Sequence, residues 1–142
     1  MRPPLGEVWM SLAYIMSLRS TCARRQVGAV IVDSNNYILS TGYNGQPAGF
    51  EHCIDKNCAG ASCKSGEGLE LCEALHAEQN AIARLKEPFN AKAIYCTTAP
   101  CIACTKLILA TSIEDVYAVD DYPGSGSELF KKAKGRGFIF IK

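Results

Sequence analysis

The spacing of apolar positions along the chain predicts a series of alternating helices and strands. Leu5, Val8, Leu12 and Ile15 recur every three or four residues, which predicts an amphipathic helix over roughly residues 4–19. Short runs rich in β-branched and aromatic residues predict five strands, at residues 27–32, 37–40, 93–97, 116–119 and 138–141. Further helices are predicted over residues 75–86, over residues 101–110, and from Ser127 as N-cap to about residue 134.

The order of these predicted elements indicates an α/β fold. Turn residues at 33–36 separate the first two strands, so those strands should form a hairpin. The later strands alternate with helices, which predicts parallel pairing and helices packed on a sheet. We expect a single domain over residues 1–142, since this length suffices for one sizeable core. Residues 42–70 are rich in Gly, Pro, Asn, Ser and Cys, and a loop of this length is either functional or held by something other than apolar packing.

Composition and charge narrow the class of protein. Hydrophobic residues make up 48% and charged residues 20%, which is typical of a globular protein. The net charge of +1 argues against a dedicated nucleic-acid binder, although a local basic pocket for one phosphate is compatible with it. We find no signal peptide and no run of about 18 apolar residues, so we expect a cytoplasmic protein with no membrane span. In that compartment the eight cysteines favour metal ligands or buried thiols over disulfides.

Two short motifs carry the candidate chemistry. The stretch from His76 to Glu78 is His-Ala-Glu and residues 100–104 are Pro-Cys-Ile-Ala-Cys, the signature of zinc-dependent nucleobase deaminases. His76, Cys101 and Cys104 can hold one zinc ion, and three protein ligands leave a fourth position open for water. Both cysteines lie at the start of a predicted helix, where thiol pKa values are lowered. The motifs therefore predict hydrolytic removal of an amino group from a nucleobase, with Glu78 as the carrier of the proton.

A zinc module without catalysis is the alternative interpretation of the same motifs. A structural zinc site normally has four protein ligands, whereas these motifs supply three together with a neighbouring acid. An interaction module of this kind would show no turnover, and its function would survive replacement of Glu78.

The wider sequence resembles one enzyme family. Five segments, in order across nearly the whole chain, resemble deoxycytidylate (dCMP) deaminases: residues 20–32, 41–49, 52–53, 71–82 and 100–104. This resemblance implies the cytidine-deaminase-like fold, a three-layer α/β sandwich in which a mixed five-stranded sheet has helices on both faces. It also implies hydrolysis of dCMP to dUMP and ammonia, which supplies dUMP for thymidylate synthesis. A related deaminase acting on dCTP, on a free cytosine nucleoside or on tRNA adenosine is the alternative within this fold.

The resemblance also implies roles for single residues. His76, Cys101 and Cys104 match the ligands of the catalytic zinc, and Glu78 matches the proton shuttle. Asn44 matches a residue close to the nucleotide sugar and base, although Asn is also frequent in turns.

Further substrate contacts are less specific in the sequence. Tyr43 is either a neighbour of the substrate or part of the core, and Tyr122 lies in a loop where relatives often have an aromatic residue near the substrate. A 5′-phosphate needs cationic or backbone donors, and Arg24 and Arg25 are candidates. Solvated charge at a strand edge is the alternative for both arginines.

The cysteines outside the catalytic motif suggest a second metal. Cys22, Cys53, Cys58 and Cys72 match positions that carry cysteine in many relatives, some of which bind a structural zinc there. Four thiolates would give a closed tetrahedral site and could hold the long loop, with His52 or Cys63 as substitutes for one ligand. Buried free thiols are the alternative.

Regulation and assembly are implied by the resemblance alone. Many relatives are activated by dCTP and inhibited by dTTP at a separate site that uses the Gly-Tyr-Asn-Gly region and Mg²⁺, and residues 42–45 keep that tetrapeptide. Relatives are commonly hexamers, with some dimers, so we expect a homo-oligomer.

Overall fold

A computed structural model describes residues 1–22, 24–52 and 73–141. In these ranges, helices α1 to α4 span Leu5–Ser17, Ala77–Ala83, Ile102–Leu109 and Ser127–Lys131. Strands β1 to β5 span Gly28–Asp33, Ile38–Tyr43, Ala91–Thr98, Asp115–Asp120 and Gly137–Phe140. A 3-10 turn at Pro88–Asn90, which the hydrophobic pattern does not indicate, leads into β3. The predicted elements are all present and in the predicted order.

The five strands form one mixed sheet in the order β2-β1-β3-β4-β5. Strand β1 is antiparallel to both β2 and β3, while β3, β4 and β5 run parallel to one another. The hairpin and the later parallel pairing are thus confirmed. At the hairpin turn, Asn36 has a left-handed φ of 64°, and the Asp33 carboxylate accepts hydrogen bonds from the backbone N–H groups of Asn35 and Tyr37.

Two apolar cores lie on opposite faces of the sheet. Buried residues of α2, α3 and α4, including Ala81, Ile108 and Phe130, pack with Ile31 and Ile94 on one face. On the other face α1 packs against a cluster that includes Val30, Val32 and Tyr95, and the Tyr95 ring stacks on that of Tyr117 with centroids 4.6 Å apart. The three-layer α/β class is therefore confirmed.

Helix α1 is present as predicted, but the residues that define the apolar pattern are not its most buried ones. Leu5 and Ile15 are 48% and 60% exposed, whereas the buried positions are Met10, Ala13 and Ser17. Small residues allow the backbone of α1 to approach β1 closely: a Cβ atom at Gly28 would lie 1.8 Å from the Ala13 carbonyl oxygen. Close backbone packing decides which face of α1 is buried.

Helices α2 and α4 have ends that differ from the sequence prediction. Helix α2 is shorter than residues 75–86, because it begins after the N-cap His76 and ends at the C-cap Arg84. The N-cap of α4 is Gly126 and not Ser127, because the Gly126 carbonyl already accepts the first helical hydrogen bond, from Phe130. Within the part of the chain that the structure describes, no helix has the length and apolar character needed to cross a bilayer.

Candidate active site

The candidate site lies at one edge of the sheet, where several strands begin or end. Parallel strands β3 and β4 have their carboxyl ends at this edge, so Cys101 and Tyr122 follow them into the same region. Because β1 is antiparallel to β3, its first residues and the last residues of β2 also lie at this edge. The sheet order therefore brings together segments that are far apart in sequence.

Helix α2 is fixed to β2 by polar contacts that also position His76. Ser40 Oγ donates to the Ala81 carbonyl oxygen over 2.6 Å, and Asn80 Nδ2 donates to the Tyr43 carbonyl oxygen over 2.8 Å. At the start of α2, the His76 backbone N–H donates to the Gln79 side chain over 2.7 Å. These hydrogen bonds fix the orientation of the first turn of α2, which carries Glu78, relative to β2.

The three predicted zinc ligands converge on one point. His76 Nδ1 lies 3.2 Å from Cys104 Sγ and 3.5 Å from Cys101 Sγ, and all three donor atoms lie within 4.8 Å of one another. Tetrahedral zinc with Zn–N near 2.0 Å and Zn–S near 2.3 Å separates its N and S ligands by about 3.5 Å. The donor set, one imidazole nitrogen and two thiol sulfurs, therefore fits zinc in both chemistry and spacing.

The two sulfurs and the His76 ring lie close enough to shift one another's pKa values. Hydrogen bonding from the Cys104 thiol, and further from the His76 ring and the Cys104 backbone N–H, lowers the pKa of Cys101 to about 4. The same hydrogen bond between the two cysteine side chains, together with burial, raises the pKa of Cys104. Hydrogen bonding to Cys101 raises the pKa of His76. A bound cation would take the place of these protons.

Glu78 is a buried carboxyl beside the donor cluster. It lies in the first turn of α2 with 4% of its surface exposed. Burial raises the pKa of Glu78, although the neighbouring His76 ring opposes this shift. A carboxyl whose pKa lies above its usual range can both accept and donate a proton close to neutral pH, which suits a general acid–base group.

A cavity of about 120 Å³ opens onto Glu78 and the donor cluster. Its lining comes from five separate segments of the chain: Val27, Asn44, His76, Ala77, Glu78, Thr98, Ala99, Cys101 and Tyr122. The sequence motifs identify the chemical groups of this lining. They do not indicate Val27, Thr98 and Ala99, which reach the cavity because Val27 precedes β1 and the other two lie at the end of β3.

The predicted substrate contacts lie at different places around this cavity. Asn44 and Tyr122 line it, and the Arg25 guanidinium carbon lies 5.9 Å from the centroid of the Tyr122 ring. Tyr43 is not among the lining residues, and its carbonyl oxygen accepts the bond from Asn80 described above. Of the four cysteines proposed for a second zinc, Cys22 is buried, while Cys53, Cys58 and Cys72 lie outside the described residues, as does Cys63.

A comparison with known protein families agrees with the zinc-donor geometry of His76, Cys101 and Cys104. A model of the cytidine and deoxycytidylate deaminase zinc-binding region matches residues 5–120. The chain belongs to the cytidine and deoxycytidylate deaminase family. The matched residues of the chain include His76, Glu78, Cys101 and Cys104, so the family model and the donor geometry both indicate zinc.

Individual relatives of this chain carry more specific names. Deoxycytidylate deaminase of Saccharomyces cerevisiae is 36% identical over 140 residues, covering 96% of this chain and 44% of that protein. Deoxycytidylate deaminase of Mycobacterium phage D29 is 37% identical over 121 residues, covering 81% of this chain and 94% of that protein. The chain thus spans less than half of the yeast relative and nearly all of the phage one.

A solved structure extends the similarity over the whole fold. The crystal structure of dCMP deaminase from cyanophage S-TIM5 in complex with dCMP and dUMP matches with a TM-score of 0.78 at 28% identity, and 99% of each chain is covered. The chain therefore shares its overall fold with an enzyme whose complex holds dCMP and dUMP.

Proposed function

We propose that this protein hydrolyses dCMP to dUMP and ammonia as a single deaminase domain. The observation that carries the proposal is a cavity lined by the buried Glu78 carboxyl together with the His76 and Cys101 zinc donors. The deoxycytidylate deaminases named above, and the dCMP and dUMP bound by the cyanophage enzyme, support dCMP as the substrate. The net charge of +1 favours a mononucleotide over tRNA.

In the proposed mechanism His76, Cys101 and Cys104 hold one zinc ion. When bound, zinc supplies Lewis acidity, which lowers the pKa of a water molecule toward about 7. Glu78 accepts a proton at a carboxylate oxygen, donates it to the ring nitrogen of the base, and later helps to protonate the departing amino group. Burial raises the pKa of Glu78, which makes this carboxyl a better proton acceptor than an exposed one.

The proposal also assigns a confined place to the base. Asn44 and Tyr122 line the same cavity as Glu78, and they are the proposed neighbours of the nucleotide sugar and base. We place the reaction in the cytoplasm, since a reducing compartment keeps thiolate ligands unoxidised.

Ammonia release by the purified, zinc-loaded protein tests the function. The substrates are dCMP, dCTP, deoxycytidine and cytidine, and Glu78→Gln is the matched variant because it keeps the shape of the side chain but cannot carry the proton. We expect dCMP to be the best substrate and Glu78→Gln to lose at least about 100-fold in kcat while retaining zinc. Turnover by Glu78→Gln within tenfold of the unchanged protein would contradict the role of Glu78. A lack of turnover with every cytosine nucleotide would contradict the function.

Regulation and assembly are proposed on the resemblance and are tested in the same preparation. Adding dCTP or dTTP, each with and without Mg²⁺, tests whether dCTP activates and dTTP inhibits. Mass measurement in solution tests for a homo-oligomer, with a hexamer expected.

A further inference from the structure

The chain that joins β4 to α4 lies along the segment that carries the zinc donor Cys101. We call residues 120–126 the Tyr122 loop and residues 99–101 the zinc segment. Two backbone hydrogen bonds, of 2.7 and 2.8 Å, and one antiparallel bridge join them, and they pair Ala99 with Asp120, Pro100 with Gly126, and Cys101 with Ser125. Tyr122 lines the cavity together with Cys101 and Glu78, so the place of its ring depends on this docking.

Gly126 packs against α3 too closely to leave room for a side chain. An added Cβ would lie 1.8 Å from Thr105 Oγ1, 2.5 Å from Thr105 Cβ and 3.0 Å from the Cys101 carbonyl oxygen. The φ angle of Gly126 is −88°, which any residue adopts, so the glycine is required for space and not for backbone conformation. Thr105 is 1% exposed and β-branched, which leaves its side chain few alternative conformations.

The elements on either side of this contact are fixed. Thr105 directly follows the zinc donor Cys104, and its N–H donates to the Cys101 carbonyl oxygen over 2.8 Å. On the other side, the Gly126 carbonyl oxygen accepts from the N–H of Phe130, whose side chain is fully buried in the core. Helix α3 and helix α4 therefore resist displacement, and a side chain at position 126 would push the Tyr122 loop away from the zinc segment.

We propose that Gly126 is a positioning residue for the reaction, because its missing side chain lets the Tyr122 loop dock on the zinc segment and holds the Tyr122 ring beside the base. This inference rests on the proposed function, in which Tyr122 is a neighbour of the base. Gly126 itself does not line the cavity, so its effect on the substrate passes through Tyr122.

Ligand binding to an inactive form tests the proposal separately from catalysis. Dissociation constants for dCMP and deoxycytidine are measured by calorimetry on zinc-loaded Glu78→Gln protein, alone and with Gly126→Ala added. We expect Gly126→Ala to weaken both ligands by a similar factor of at least about five, because both place the same base against the Tyr122 ring. Affinities within about twofold of the starting protein would overturn the proposal, even if the melting temperature of Gly126→Ala falls.

A second glycine of the same loop provides the matched control. An added Cβ at Gly124 meets nothing within 4 Å, and asparagine tolerates its left-handed φ of 89°. Gly124→Asn therefore adds a larger side chain than Gly126→Ala and should leave both affinities within about twofold. An equal loss of affinity in the two variants would overturn the proposal, because any change in the loop would then have the same effect.

Replacing Tyr122 tests whether Gly126 acts through that ring. In a Tyr122→Leu background, the further effect of Gly126→Ala on both dissociation constants should fall to within about twofold, since the contact that Gly126 positions is already lost. A merely structural role of Gly126 predicts instead the same factor in both backgrounds. Additive losses would therefore overturn the proposal.

Removing the opposing side chain should restore binding to the Gly126→Ala protein. Thr105→Gly removes both of the Thr105 atoms that overlap the added Cβ, whereas Thr105→Val keeps their bulk. We expect the Gly126→Ala protein to regain affinity to within about threefold of its Thr105→Gly parent, and to regain none with Thr105→Val. Zinc content and circular dichroism confirm that each variant is folded. No regain with Thr105→Gly, or an equal regain with Thr105→Val, would overturn the proposal.

Amide hydrogen exchange tests the docking of the loop without any ligand. We expect faster exchange over residues 120–126 in Gly126→Ala than in the unchanged protein, and slower exchange again when Thr105→Gly is added. Unchanged exchange in Gly126→Ala would overturn the proposal while leaving the proposed function intact. If exchange and binding follow the expected pattern but the unchanged protein does not turn over dCMP, the proposed reaction fails while the positioning role of Gly126 stands.

Discussion

Two buried threonines in and just after α3 differ in whether their hydroxyl groups have a hydrogen-bond partner. Thr111 Oγ1 donates to the Ile108 carbonyl oxygen over 2.7 Å and accepts from the Ile113 N–H over 3.1 Å. Thr105 Oγ1 is equally buried but has no partner among the described residues. A buried hydroxyl group without a partner bears the full desolvation penalty, so the two sites should respond oppositely to loss of the hydroxyl.

We expect Thr105→Val to stabilise the protein and Thr111→Val to destabilise it. Valine keeps the shape of threonine, so the change mainly removes the hydroxyl, giving about 1 kcal/mol of stabilisation at Thr105 and about 1–3 kcal/mol of destabilisation at Thr111. Urea unfolding of the two variants measures both free energies. Destabilisation of Thr105→Val by as much as Thr111→Val would indicate a hydrogen bond at Thr105 that the structure does not show.

For single residues, the sequence identifies the reactive groups of the site well and the residues around them poorly. His76, Glu78, Cys101 and Cys104 are recognisable because zinc chemistry demands particular atoms at short spacing. The hydrogen bonds from the Asn44 side chain to the main chain of Val27 and Arg25 are not recognisable, because these partners lie 17 and 19 residues away and only the fold brings them together.

Single helices and strands depend on backbone contacts that a hydrophobic pattern does not describe. Helix α1 lies so close to β1 that an added Cβ at Gly28 would be 1.8 Å from the Ala13 carbonyl oxygen and 2.9 Å from the Ser17 nitrogen. At Gly6, in the same helix, an added Cβ would make only ordinary van der Waals contact, with the Tyr95 side chain at 3.8 Å. The same substitution at these two glycines therefore distinguishes the effect of close packing on stability from the effect of helix propensity.

We expect Gly28→Ala to destabilise the protein and Gly6→Ala to stabilise it. Overpacking at Gly28 should cost about 1–3 kcal/mol, or more if α1 is displaced from the sheet, since backbone atoms cannot move aside as a flexible side chain can. Alanine at Gly6 should add about 0.5–1 kcal/mol through its higher helix propensity. Thermal unfolding followed by circular dichroism measures both. A neutral Gly28→Ala variant would mean that α1 packs less closely on β1 than described.

The elements themselves were predictable, while their boundaries and buried faces were less so. Strand β2 extends to Tyr43, beyond the predicted residue 40, because it continues to pair with β1 through polar and glycine positions. Arg136, between two glycines, gives no sign in the sequence of its role at the end of α3, where its guanidinium donates to the Leu109 and Thr111 carbonyl oxygens. Such partners depend on tertiary contacts and not on local spacing.

For the whole molecule, the sheet order explains why one edge holds the site. The mixed order β2-β1-β3-β4-β5 places the start of β1 and the ends of β2, β3 and β4 side by side. The alternation of strands and helices predicts parallel pairing in the second half, but the pairing of β1 with β3 cannot be derived from local patterns, because these strands are separated by more than 50 residues. That pairing brings Arg25 and Val27 next to the zinc motifs.

Zinc should stabilise the molecule as a whole, because the unfolded chain lacks the converged His76, Cys101 and Cys104 donors. At free zinc about a thousandfold above its dissociation constant, the stabilisation is about 4 kcal/mol, which corresponds to a rise in melting temperature of roughly 10 °C or more. Differential scanning calorimetry of zinc-loaded and chelator-treated protein measures this shift. An unchanged melting temperature after complete metal removal would contradict a zinc site coupled to folding.

The number of zinc ions per chain decides whether the cysteine-rich segment holds a second metal. If Cys22, Cys53, Cys58 and Cys72 form a closed site, elemental analysis should give two zinc ions per chain. His76→Ala should then retain one zinc and lose turnover, whereas Cys22→Ala should retain one zinc together with turnover per folded molecule. Metal counting is the deciding readout, because Cys22 is buried and its replacement affects stability with or without a metal. One zinc ion in the unchanged protein and none in His76→Ala would mean that the catalytic site holds the single zinc, and would contradict a second zinc site.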